Sequence, residues 1–256
     1  MNRARSSDHY SYRHYADPET ARTFDDRRFG GPIGDLIAAM QAQVVARFIE
    51  EAAGTIEGRE IVDVGTGTGR AAVFLAHRGA RITGVDASEA MLAVARHRAA
   101  AEAVRVSFQR GDARALDFAD RSFEVAVSLR VLMHAPWWRE CLTELCRVAA
   151  RLVIVDYPSA TSFALVESLA RRAAHRVGVR TEPYRVFTDC AIAGAFAGCG
   201  FRVRSVHRQF VLPIAFHRAV GSRRFTLGSE GLLDRAGLLK IFGSPVSLVA
   251  ERCASS

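Results

Sequence analysis

Lysine is nearly missing from this chain of 256 residues: Lys240 is the only one, and arginine supplies the other basic side chains. Cysteine is sparse, with five residues (Cys141, Cys146, Cys190, Cys199, Cys253), odd in number and scattered without a Cys-x-x-Cys pair. That pattern excludes a disulfide framework and a thiolate metal site and fits the reduced thiols of a cytoplasmic protein. No stretch of 18 apolar residues occurs, which excludes a membrane-spanning helix. The opening MNRARSSDHYSYRHY has no apolar core, so it does not read as a secretory signal. Internal repeats and low-complexity linkers are also lacking.

What is there suits one α/β domain with a large core, since 49% of the residues are hydrophobic. The net charge of +8 is unevenly placed. Residues 1–156 hold 21 basic and 21 acidic side chains, whereas residues 157–256 hold 14 and 6, so the whole excess lies in the C-terminal part. An anionic small molecule or a peripheral membrane contact accounts for this; so does an arginine-rich composition with no such partner.

The chain is organised around Glu60–Arg70, EIVDVGTGTGR. Ile61, Val62, Asp63 and Val64 read as a buried strand, Gly65, Gly67 and Gly69 alternate with Thr66 and Thr68, and a helical pattern follows from Ala71 to Arg78. Glycines without Cβ atoms let the backbone turn and approach a ligand, and the helix start offers free N–H groups. The spacing is G-x-G-x-G, one residue short of the G-x-G-x-x-G dinucleotide fingerprint.

Around this stretch, 17–29 and 33–53 read as helices broken by Gly30-Gly31-Pro32. Strands are expected at 81–86, 104–108, 123–129 and 152–156, with helices at 89–102 and 137–150 between them. Alternation of this kind gives a parallel sheet with right-handed crossovers. Beyond it, helices are expected at 159–176, 188–197, 213–224 and 231–241, and strands at 201–212 and 245–250.

The loop with Asp63 two residues before it resembles motif I of the class I methyltransferases that use S-adenosylmethionine (SAM). VDASEAML, 85–92, resembles the second motif, and Gly111-Asp112-Ala113 the third. The resemblance covers about residues 15–158. It implies a Rossmann-like sheet of seven strands, mostly parallel with an antiparallel last strand, and helices on both faces. Residues 1–53 would then be lid helices, 54–157 the SAM-binding core, and 158–256 the acceptor-binding insertion with the closing strands.

On this resemblance Gly65, Thr66, Gly67 and Gly69 would approach the methionine end of SAM, and Asp63 would offset its ammonium. Asp86 would accept from the ribose hydroxyls, with Ala87 and Met91 beside the adenine. Asp112 would meet the adenine amine, flanked by Gly111 and Ala113, and Leu129 would close the fourth strand against the cofactor. Tyr15 and Phe24, in YADPETARTFDDRRF, would cover it.

The segment SLRVLMHAPWW, 128–138, stands where such enzymes meet the acceptor. It lacks the Asn/Asp-Pro-Pro-aromatic element of adenine methyltransferases and the acidic ligands of the metal-dependent catechol type, so neither DNA nor a metal is expected. Val131-Leu132-Met133-His134 is similar to the Val-Leu-His-His of ubiquinone and menaquinone methyltransferases, with the second histidine kept. His134 is the candidate base or acceptor-orienting group; a structural histidine at a strand-to-helix corner is the plain alternative. Arg130 would bind an anionic acceptor and Tyr157 would line the pocket. The expectation is O-methylation of a phenol, quinone-like, polyketide or lipid-like small molecule by a monomer or homodimer. C-methylation of a quinone-like ring, RNA methylation and SAM binding without catalysis stay open, although no RNA-binding module accompanies the basic residues.

Overall fold

The computed structural model describes residues 17–176 and 184–254. Tyr15 lies outside the described residues. Seven strands form a single sheet: β1 (Glu60–Val64), β2 (Arg81–Asp86), β3 (Val106–Arg110), β4 (Phe123–Ser128), β5 (Ala149–Tyr157), β6 (Phe201–Phe210) and β7 (Ser244–Arg252). Their order is β3-β2-β1-β4-β5-β7-β6. The first five run parallel, and β7 inserts between β5 and β6, antiparallel to both. The helices are α1 (Pro18–Phe29), α2 (Gly31–Ala53), α3 (Arg70–Ala76), α4 (Glu89–Ala101), α5 (Trp138–Val148), α6 (Phe163–Arg176), α7 (Asp189–Gly198), α8 (Ile214–Val220), α9 (Arg223–Arg235) and α10 (Leu239–Phe242). No helix among the described residues is long and apolar enough to cross a membrane.

Both faces of the sheet are covered, because successive side chains on a strand point to opposite sides. Ile61, Val125, Val127 and Ile154 pack with Phe48 and Ile49 of α2 and Leu75 of α3. Val62, Ala126, Val153 and Val155 pack on the other side with Leu142 and Leu145 of α5 and Phe196 of α7. The sheet order reverses between β1 and β4, so a crevice opens beyond the carboxyl ends of those strands.

Several expected boundaries are corrected by identifiable bonds. Gly30 alone separates α1 from α2; Gly31 and Pro32 form the first turn of α2, where a missing proline N–H costs nothing. Helix α6 starts at Phe163 rather than 159, since Ser162 Oγ donates to the Ser159 carbonyl at 2.7 Å and holds a turn there. Strand β5 starts three residues early because Ala149 pairs with Phe123 across the sheet. Strand β6 stops at Phe210, where the next two backbone N–H groups donate to buried Glu230 at 2.7 and 2.9 Å. In the insertion, Gly221 (φ 68°) ends α8 and Ser222 caps α9, so the expected helices at 213–224 and 231–241 become three.

Candidate functional site

The tips of β1, β2 and β4, the turn after β3, and helices α1 and α2 surround one cavity of about 470 Å³. Its glycine loop is pinned to β2: the N–H groups of Gly65 and Thr66 both donate to the Val85 carbonyl, at 2.7 and 3.0 Å. Gly65, Gly67 and Gly69 all have positive φ, which explains why the loop carries no larger residue there. A Cβ on Gly65 would stand 2.2 Å from Val131 Cγ2, so the segment after β4 lies directly against the loop. Gly65→Ala is therefore expected to cost about 1–2 kcal/mol from the left-handed backbone alone. Urea unfolding of the variant beside the parent protein measures that loss.

Asp63, at the end of β1, is buried and accepts from Thr66 Oγ1 at 2.7 Å. Burial pushes its carboxyl up to about 6, and nearby Asp86 adds to the rise against the lowering effect of the Thr66 bond. Asp86, at the end of β2, divides its oxygens: Oδ2 accepts from the Gly67 N–H at 2.9 Å and Oδ1 from the Ser88 N–H at 2.8 Å. Its carboxyl is also raised by burial, with these backbone bonds pulling the other way. Two bonds leave part of a carboxylate's acceptor capacity for a ligand. Ser88 then caps α4 by accepting from the Met91 N–H at 3.2 Å, which sets Met91 into the cavity wall.

Of the residues singled out from the sequence, Asp63, Gly65, Thr66, Gly67, Asp86, Ala87 and Met91 line this cavity, with Gly111, Ala113, Leu129, Arg130 and His134. Phe24 lines it from α1. Gly69 instead caps α3 and packs near Ala95, where a Cβ would come within 2.9 Å of the alanine methyl. Asp112 is engaged by Arg114, whose Nη2 donates to it at 2.6 Å and whose guanidinium stacks 4.9 Å from the Trp137 ring. Arg114 and Trp137, rather than Asp112, form that stretch of wall. Tyr157 is also absent from the wall: it is fully buried against Phe187, and its hydroxyl donates to Asp189 at 2.9 Å.

The structure adds residues that the sequence did not single out. Asp25 of α1 accepts from Thr68 Oγ1 at 2.9 Å and pairs with Arg98 of α4, so α1 is tied to the glycine loop and to α4. Phe29 closes the cavity, with Arg70 at 4.5 Å and Arg130 at 5.6 Å over its ring. Arg130 itself has φ 61°, and its backbone N–H donates to buried Asp156, which also accepts from Gln41 at 2.6 Å. Gln41 was detectable: it is a polar residue on the apolar stripe Ile37, Val44, Phe48 of α2, and buried polar groups need partners.

A switch-point cavity with a glycine loop and two strand-end carboxylates is the cofactor-binding arrangement of an open, Rossmann-like α/β sheet. Residues 61–151 match the family of methyltransferase domains. A demethylmenaquinone methyltransferase of Thermus thermophilus is 37% identical over 105 residues, which are 39% of this chain and 48% of that protein. A methyltransferase of Streptomyces halstedii is 31% identical over 160 residues, 60% of this chain and 52% of that one. The chain thus spans about half the length of these curated relatives. Magnesium protoporphyrin IX methyltransferase of Synechocystis, solved with S-adenosylhomocysteine, superposes with a TM-score of 0.64 at 19% identity, over 93% of this chain and 97% of that one.

Proposed function

We propose that this protein transfers the methyl group of SAM to an oxygen of a small molecule: a phenol, quinone-like, polyketide or lipid-like hydroxyl or acid. The observation that carries the reading is the opening of Asp63, Asp86 and the glycine loop into one cavity that Leu129, Arg130, Val131 and His134 also line. Bound SAM supplies a methyl group already activated on a sulfonium. The protein's share is then alignment, exclusion of water and proton handling.

Asp63 would hold the ammonium of SAM and Asp86 its ribose diol. Gly111, Ala113 and Met91 would flank the adenine, beside Arg114 and Trp137. Phe24 and Phe29 keep water from the reacting atoms. His134 accepts the proton released when an acceptor hydroxyl is methylated, and Arg130, held over Phe29, orients an anionic or polar group of that acceptor. The apolar wall formed by Phe29, Phe74, Leu129, Val131 and Trp137 suits a lipophilic body. O-methyltransferases among the relatives, such as that of Aspergillus sclerotiorum at 39% identity over 105 residues, support the choice of oxygen.

The test is methyl transfer from radiolabelled SAM to a panel of phenols, hydroxyquinones and fatty acids. His134→Ala is expected to lower turnover by about 10²- to 10⁴-fold while SAM affinity stays within about twofold. Unchanged turnover on an accepted substrate would leave His134 a structural residue.

A further inference from the structure

We infer that helices α6, α8, α9 and α10 form a docking surface for an anionic phospholipid bilayer. Thirteen large hydrophobic residues are exposed among the described residues, and all but Trp137 and Val206 lie in these four helices. Phe163, Val166 and Leu169 make a stripe on α6, and Leu227 and Leu232 of α9 and Ile241 of α10 add exposed apolar side chains; each is more than half exposed. Scattered apolar residues need no explanation, but a concentration in one part of a fold marks an interaction surface.

Two contacts link these helices in pairs. Thr161 Oγ1, just before α6, donates to the Ile241 carbonyl of α10 at 2.7 Å, and the Phe216 ring of α8 meets that of Phe225 on α9 at 6.0 Å. This part of the chain also carries the entire net charge. Helices α6, α9 and α10 contain seven basic and three acidic residues, and one of those acids, Glu230, is buried against His217 at 2.8 Å.

Exposed apolar side chains interleaved with arginines are what a negatively charged lipid interface binds, through shallow apolar insertion and attraction to headgroups. A second copy of the same surface would bring like charges face to face, which disfavours self-association there. The surface borders the lid: Arg223 Nε donates to the Pro32 carbonyl at the start of α2 at 2.8 Å, and Arg218 donates to the Arg27 carbonyl of α1 at 3.3 Å. Docking would therefore hold the cavity's lid close to the bilayer. None of this requires the methyl-transfer reading.

The test is flotation of the full chain with extruded phosphatidylcholine vesicles, with and without about 30 mol% phosphatidylglycerol. The protein is expected to float with the anionic vesicles only, and to be released at about 0.5 M salt, where screening removes the headgroup attraction. The double substitution Val166→Asp, Leu169→Asp, on an exposed stripe, is expected to lower the bound fraction at least about tenfold. Its SAM affinity and its circular dichroism are expected to match those of the parent. Failure of the parent to float, or equal flotation of the double variant, overturns the proposal. So does a dimer in sedimentation that the double variant abolishes while neither protein binds vesicles.

Discussion

Asp86→Ala is expected to bind SAM about 5- to 150-fold more weakly than the parent protein, the range that corresponds to 1–3 kcal/mol for a buried group left without its charged partner. Two losses combine. The ribose diol loses its acceptor, and the Gly67 N–H, which now donates to Oδ2 at 2.9 Å, loses the anchor that shapes the glycine loop. The Ser88 N–H, donating to Oδ1 at 2.8 Å, loses its partner as well. Asp86→Asn separates the two effects. An amide oxygen can still accept one of the backbone bonds, so loop geometry is better preserved, whereas recognition of both ribose hydroxyls by an anion is not. Calorimetric titration with SAM and with S-adenosylhomocysteine should therefore order the proteins as parent, Asn, Ala. Equal affinity across the three would remove the β2 tip from the cofactor site.

Asp63→Asn is expected to have two effects of opposite sign. Folding carries the Asp63 carboxyl from 3.8 to about 6, so the folded protein disfavours its charged form. A group raised in this way makes its most favourable contribution at low pH, and that contribution declines as pH rises through the interval from 3.8 to about 6. At about pH 8 the ligand-free Asn variant should thus be more stable than the parent by up to about 3 kcal/mol, the difference shrinking to about 0.5 kcal/mol near pH 4. Thermal unfolding at the two pH values measures this. Cofactor binding should move the other way. An ammonium beside Asp63 restores the charged carboxylate, so parental affinity for SAM should fall as pH drops below about 6 and binding there should release a proton. The Asn variant should bind weakly with little pH dependence in that range. A stabilised variant that keeps full SAM affinity would show that Asp63 only shapes the loop, through its 2.7 Å bond from Thr66.

The motif-bearing half of the molecule was readable because its signals are local. In Ile61–Val64, Gly65–Gly69 and Asp86–Ser88, each element is set by residues next to one another: a buried strand, a loop of positive-φ glycines, a capped helix. The rest was less so. The end of β6 depends on Glu230 reaching back to Val211 and Leu212, and the start of β5 depends on pairing with β4; neither partner is nearby in the chain. The division of 213–242 into three short helices is set locally, by Gly221 and Ser222.

Composition, periodicity and the three motifs by themselves determined the alternating α/β class, the position of the cofactor loop and the acids at the first two strand tips, since strand ends and glycine turns are written in contiguous residues. Only the tertiary structure decided which side chains share the cavity. It turned Tyr157 into the core toward Asp189, gave Asp112 to Arg114, and brought Phe29, Gln41 and Asp156 to Arg130 from distant parts of the chain. Where a side chain points, and what it pairs with, depends on neighbours supplied by packing, and no spacing along one chain encodes those neighbours.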